Sequence, residues 1–239
     1  MTRIGIRLGL CAMVGVIGAT MNAQAGLTVI SGSSWDAEGN LNKVMSTISK
    51  NTYAPDRVDD SQDQLWKTLA SPGATLVIEL AGNAGINSFG LYDPFTQTRQ
   101  APLFTGSAVS GASVATIVAP STPFGFYLGV GNGTYYYSQE SLNPNGSDHM
   151  VTLQTKSEVT LVPSLAGWGG TSTPLTWEPG QYVLGWEDLN LGDADYQDMI
   201  VKVSGVSPVP EPSTVIAGLF LGIPFAFSAA RMVRKQQIA

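Results

Sequence analysis

Between Ala74 and Val203 no apolar stretch runs far before a glycine, proline or asparagine breaks it. The stretches themselves are short and rich in β-branched and aromatic residues, which suits strands joined by turns. Thr75–Leu80, Ser88–Tyr92, Leu103–Phe104, Val114–Val118, Phe124–Val130 and Thr134–Ser138 form the first half of the series. Met150–Leu153, Glu158–Leu161, Tyr182–Leu184 and Met199–Val203 form the second. Asn132-Gly133, set between two aromatic runs, is the strongest hairpin signal, because a two-residue reversal needs positive φ at both positions. The pattern predicts a mainly β domain, an antiparallel sandwich or jelly roll. No repeat of 20–50 residues is present, which argues against solenoids and propellers.

Upstream the pattern changes. Leu27–Ile30 reads as a short strand, and Leu41, Val44, Met45 and Ile48 recur at helical spacing. Asp59-Asp60-Ser61 offers a cap to a second short helix over Gln62–Ala70, stopped by Ser71-Pro72-Gly73. Residues 26–73 are therefore expected to pack one or two short helices on an edge of the sandwich formed by residues 74–206.

The two ends differ from everything between them. Residues 1–25 carry Arg3 and Arg7, then an apolar run from Leu8 to Met21, then Ala23-Gln24-Ala25. That is the layout of a secretory signal peptide with cleavage directed by Ala23 and Ala25. Cys11, the only cysteine, lies in the part that would be removed, so no disulfide would stabilise the exported chain. Residues 207–239 reverse the order. Val209-Pro210-Glu211-Pro212 leads into an uncharged apolar run from Val215 to Ala230, and Arg231, Arg234 and Lys235 follow. A transmembrane helix over 215–233 fits, with the basic end held on the cytoplasmic side and the middle of the protein outside.

This C-terminal order resembles the PEP-CTERM sorting signal of exported Gram-negative bacterial proteins. The residues that carry it are Pro210, Glu211, Pro212 and the basic end that begins at Arg231. The resemblance implies an exosortase as processing partner, and a precursor anchored in the inner membrane before the product reaches the cell surface or extracellular matrix. Exopolysaccharide and other components of a biofilm matrix are the further partners it implies.

Charge narrows the function. Of 12 basic residues, five lie at the two ends, whereas only one of 18 acidic residues, Glu211, does so. The middle is thus near −10, the opposite of the basic face that nucleic acid needs. Catalytic signatures are scarce: the chain has no nucleophile elbow, P-loop, dinucleotide fingerprint or zinc-protease motif. The single histidine, His149, reads as a turn or strand-entry residue, and the expectation is a protein that is not an enzyme. Five Trp and eight Tyr leave room for a carbohydrate-binding module, with Trp168, Trp177, Trp186 and Tyr135–Tyr137 as candidate platforms.

One loop concentrates the acid. Residues 187–198 hold Glu187, Asp188, Asp193, Asp195 and Asp198 together with Asn190 and the turn residue Gly192. Five like charges so close must be solvated, screened or neutralised by a cation. Calcium takes 6–8 oxygens and suits spaced Asp and Asn side chains around a glycine turn. The spacing is not that of an EF-hand, since Gly192 stands where a ligand belongs. Glu187, Asp188, Asn190, Asp193, Asp195 and Asp198 are therefore the candidate Ca²⁺ ligands. Trp186–Asp188 together with Gly192–Met199 is similar to the signature of DUF4114, a domain of unknown function, departing from it at Gln197. Leu80–Gly82, Phe89–Asp93 and Phe124–Tyr127 extend the likeness. The resemblance implies a β-sandwich and suggests calcium binding, while the export signals and the scarcity of catalytic motifs point to a role in adhesion or scaffolding.

Overall fold

A computed structural model describes residues 40–54, 56–81, 83–165, 169–189, 191 and 194–210. The expected signal peptide with Ala23 and Ala25, the strand Leu27–Ile30, Trp168, Glu211, Pro212, Arg231 and the apolar segment 215–233 lie outside them. Among the described residues no helix is long and apolar enough to cross a membrane.

The described chain is mainly β, with antiparallel sheets and one α-helix, α1 (Leu41–Ile48). The strands in order are β1 (Leu65–Glu79), β2 (Ser88–Asp93), β3 (Thr98–Arg99), β4 (Phe104–Thr105), β5 (Val114–Thr116), β6 (Gly125–Gly129) and β7 (Tyr135–Tyr137). They continue with β8 (Met150–Gln154), β9 (Val159–Leu161), β10 (Ser164–Leu165), β11 (Gly169–Gly170), β12 (Leu175–Trp177), β13 (Tyr182–Trp186) and β14 (Met199–Val209). One sheet runs β5-β1-β14-β13-β8. A second runs β3-β2-β6-β7, with β4 also on β2, and β9–β12 and β10–β11 form two small ribbons.

The first sheet is buried on both faces. Leu76, Leu184, Trp186, Met199, Val201 and Val203 share a core with Phe89, Leu91, Phe126 and Leu128 of the second sheet. The alternate residues Val77, Val151, Leu153, Val183 and Ile200 pack beneath α1 and the β9–β12 ribbon. Alternation along a strand sends neighbouring side chains to opposite faces, so burial of both faces makes β13 almost wholly apolar, while β8 keeps Thr152 and Gln154. The helix needs a thin spot to lie on. At Gly185 a Cβ would stand 2.4 Å from Leu41 Cδ2, so only glycine lets α1 approach this closely. The first residue of α1 is fixed by Asn40, whose side-chain oxygen accepts from the Lys43 N–H at 3.0 Å.

The expected helix over Gln62–Ala70 is not formed. From Leu65 these residues are the first half of β1, paired with the end of β14 from Leu65↔Val209 to Thr68↔Val206. Their local preference is overridden by Trp66, which is fully buried and whose backbone exchanges hydrogen bonds with Phe124 at 2.8 and 2.9 Å. Ser71-Pro72-Gly73 does not stop the element either. It lies in or beside a register shift between Thr68 and Gly73, the kind of bulge at which a sheet tolerates proline. The helix α1 is placed as expected, although it covers a sheet face rather than an edge.

The other described strands named from the sequence form near their expected places, whereas β3, β10, β11 and β12 are not among them. Asn132 and Gly133 have φ of 50° and 78°, and Thr134 N–H closes the turn onto the Gly131 carbonyl at 2.9 Å. Asn145-Gly146 turns with the same sign of φ. The outer face of the second sheet is paved with tyrosine. Tyr127 meets Tyr135 at 5.7 Å, and the Arg99 guanidinium lies 3.6 Å over the Tyr135 ring. At Gly125 a Cβ would reach within 2.1 Å of the buried Tyr92 ring, so glycine there is what allows the ring to lie flat on the sheet.

Candidate functional site

The β13 and β14 strands pair in register from Tyr182↔Val203 to Trp186↔Met199, so the acidic segment between them is a hairpin connection. Trp186 anchors its start in the core, and Met199 anchors its end. Glu187 is held by a backbone bond from its N–H to the His149 carbonyl at 3.1 Å, and Asp198 N–H returns to the Trp186 carbonyl at the same distance. The strand ends thus bring Glu187, Asp188 and Asp198 together: one carboxylate oxygen from each lies within 4.8 Å of the others. Glu187 and Asp188 are buried, and Asp198 is partly buried.

Local N–H groups orient these carboxylates. Leu189 N–H donates to Glu187 Oε1 at 3.0 Å, Asp195 N–H to Glu187 Oε2 at 3.2 Å, and Asp188 N–H to Asp198 Oδ2 at 2.8 Å. Burial raises the Asp198 pKa to about 8, and the charges of Glu187, Asp188 and Asp195 act in the same direction against the Asp188 N–H bond. Asp195 does not join the group of three. Its oxygens accept from Gln197 N at 3.3 Å and Gln197 Nε2 at 2.6 Å. The other expected ligands, Asn190 and Asp193, lie outside the described residues.

Three residues far away in sequence also reach this place. Asn87 Nδ2 donates to Asp188 Oδ2 at 2.9 Å, and Asn83 Nδ2 to Asp188 Oδ1 at 3.4 Å. Glu79 ends β1 directly opposite Met199, and Leu80 N–H donates to the Asp198 carbonyl at 3.1 Å. Burial pushes the Glu79 carboxyl up to about 8; a bond from Asn87 opposes this and the Asp188 charge adds to it. Nothing in the local sequence marked these residues. Only the pairing of β1 with β14 brings them here.

His149 is buried and stacks on Tyr136 with ring centroids 3.6 Å apart, its Nδ1 3.1 Å from the Glu187 carbonyl oxygen. Burial holds its pKa below the ordinary range. A second polar group lies beyond it. The buried guanidinium of Arg57 pairs with Asp60 and stands 3.6 Å from Asp148, and Asp63 is buried beside them. Of the candidate carbohydrate platforms, Trp177 and Trp186 are wholly buried, Tyr136 is buried under His149, and Tyr135 and Tyr137 are partly exposed. Pro210 follows β14 at the surface, and the rest of its motif lies outside the described residues.

A DUF4114 domain, a domain of unknown function, is found at residues 110–206. It spans the segment from just before β5 into β14 and includes the whole acidic connection. No curated protein and no solved structure matches the chain.

Proposed function

We propose that this is an exported cell-surface or extracellular-matrix protein whose β domain, of the sandwich or jelly-roll class, serves a structural or adhesive role and is stabilised by Ca²⁺. The observation that carries the reading is the convergence of the Glu187, Asp188 and Asp198 carboxylates within 4.8 Å, two of them buried. Carboxylates so confined repel one another, and a hard divalent cation both neutralises them and takes oxygen ligands. Asn190 and Asp193 are the further loop donors in this reading. The ion would do no chemistry on a substrate. It would fix the connection between the two strands that carry the shared core.

Calorimetry on the full chain in detergent tests the metal. Ca²⁺ should bind with measurable heat, and saturation at a hundred times Kd should raise unfolding free energy by about 2.7 kcal/mol. Asp198→Asn should remove both effects. Absence of heat, together with a melting temperature indifferent to chelator, would end this part of the reading.

The export route belongs to the same proposal. The signal at residues 1–25 supports secretion, and Pro210-Glu211-Pro212, the apolar run and the basic end from Arg231 support sorting by an exosortase out of the inner membrane. Exopolysaccharide or another matrix component is the partner this destination offers. Co-expression with an active exosortase should yield a shorter product than co-expression with an inactivated one. Equal mobility in both backgrounds would leave only a membrane anchor.

A further inference from the structure

The acidic connection does not stand alone: two side chains from the other half of the domain end beside it, each with one buried oxygen that lacks a hydrogen-bond partner, although the Asn87 side chain also bonds the Glu79 carboxyl. Asn87 is 0% exposed, and while its Nδ2 donates to Asp188, its Oδ1 has no hydrogen-bond partner. Glu79 is 8% exposed, and its Oε1 is likewise buried without a partner. A buried polar atom left unpaired is costly, and a cation bound by both oxygens would satisfy them together. Among the described residues the three ion pairs run through Arg57 and Lys156 and involve none of Glu79, Asp188 and Asp198.

We propose that Asn87 and Glu79 are ligands of the same cation as Asp188 and Asp198, so that the ion ties the β1–β2 connection to the β13–β14 connection. The proposal rests on the reading of the loop as a cation site, and it extends the site beyond residues 110–206. Three features favour it. The pairing Glu79↔Met199 and the Leu80–Asp198 backbone bond fix the two connections side by side. An asparagine amide turned end for end keeps its shape and presents oxygen where nitrogen stood, so Asn87 and Asn83 can face Asp188 through an ion. The donor set is entirely oxygen and drawn from separate segments, which fits the 6–8 ligands and loose geometry of Ca²⁺ better than the strict octahedron of Mg²⁺.

The test is Ca²⁺ titration of the full chain by calorimetry, with Asp198→Asn as the loop control. Glu79→Gln and Asn87→Leu should each weaken binding roughly tenfold or more, whereas Asn87→Asp, which keeps an oxygen, should bind at least as tightly as the parent. Parent-like affinity in both Glu79→Gln and Asn87→Leu, with binding lost in Asp198→Asn, overturns the proposal and leaves the loop site standing. No Ca²⁺ uptake by the parent removes the loop site itself. Should Asn87→Leu fail to fold, hydrogen exchange of the parent decides. Ca²⁺ should slow exchange at amides 83–88 as well as in the 187–198 connection, and protection confined to the latter overturns the proposal.

Discussion

Trp66→Ala should lower unfolding free energy by about 3–5 kcal/mol, a large part of what a domain of this kind has to lose. The indole is fully buried, with Phe126 at 5.5 Å and Tyr182 at 5.1 Å, both met edge to face. Removing it forfeits the transfer energy of the ring and leaves a hollow that the two sheets cannot close without parting from their pairing. It also strands the Asp63 carbonyl, which accepts from Trp66 Nε1 at 2.6 Å. Trp66→Phe keeps most of the volume and should cost markedly less. Urea unfolding followed by circular dichroism measures the difference. A midpoint unchanged by Trp66→Ala would mean that the first half of β1 contributes little to the fold.

The second large effect concerns pH. In excess chelator, stability should rise as pH falls from about 8 to about 5, the reverse of ordinary acid weakening. Asp148 is responsible for much of this. Burial raises its pKa to about 7; the charges of Asp60 and Glu140 add to that, and Arg57 and the bond from Met150 N–H oppose it. Burial, and after it the charge on Asp148, raises Asp63 well above the carboxylate range, and the Tyr196 hydroxyl caps the Asp148 carbonyl at 3.2 Å. A carboxyl whose folded pKa exceeds its unfolded value binds more protons when folded, so stability is gained as pH drops through that window and lost as it rises. The gain is at most on the order of 4 kcal/mol. Asp63 acts with the same sign. Asp148→Asn, which keeps an acceptor for the Met150 N–H, should make the dependence between about pH 5 and 7 shallower. A parent protein that weakens steadily below about pH 7, or an unchanged slope in Asp148→Asn, would show that these carboxyls are already ionised when folded.

Sequence patterning revealed the strands wherever turn chemistry bounded them. Asn132-Gly133 determined one hairpin, and the β-branched run Met199–Val203 marked the start of β14. It failed over Gln62–Ala70 because Leu, Trp, Lys and Ala suit a helix, and the decisive partners, Phe124 and Val206 to Val209, lie far along the chain. The site divided in the same way. Glu187, Asp188 and Asp198 stand in one visible acidic run, whereas Asn87 and Asn83 contact Asp188 across 101 and 105 residues. No local periodicity encodes a contact of that range. Burial of the first sheet on both faces was equally hidden, since a continuous apolar strand reads the same whether one layer covers it or two.

The position of β14 has a mechanical consequence. Its first residues, Met199–Val203, lie between β1 and β13, antiparallel to both, and β1 continues beside it as far as Val209. A load applied beyond Pro210 would pull this strand along its own axis. The ladder bonds on both flanks would then resist together in shear, instead of opening one after another as they do when an edge strand is peeled away. A tether at that end would thus meet the domain at one of its most firmly held strands.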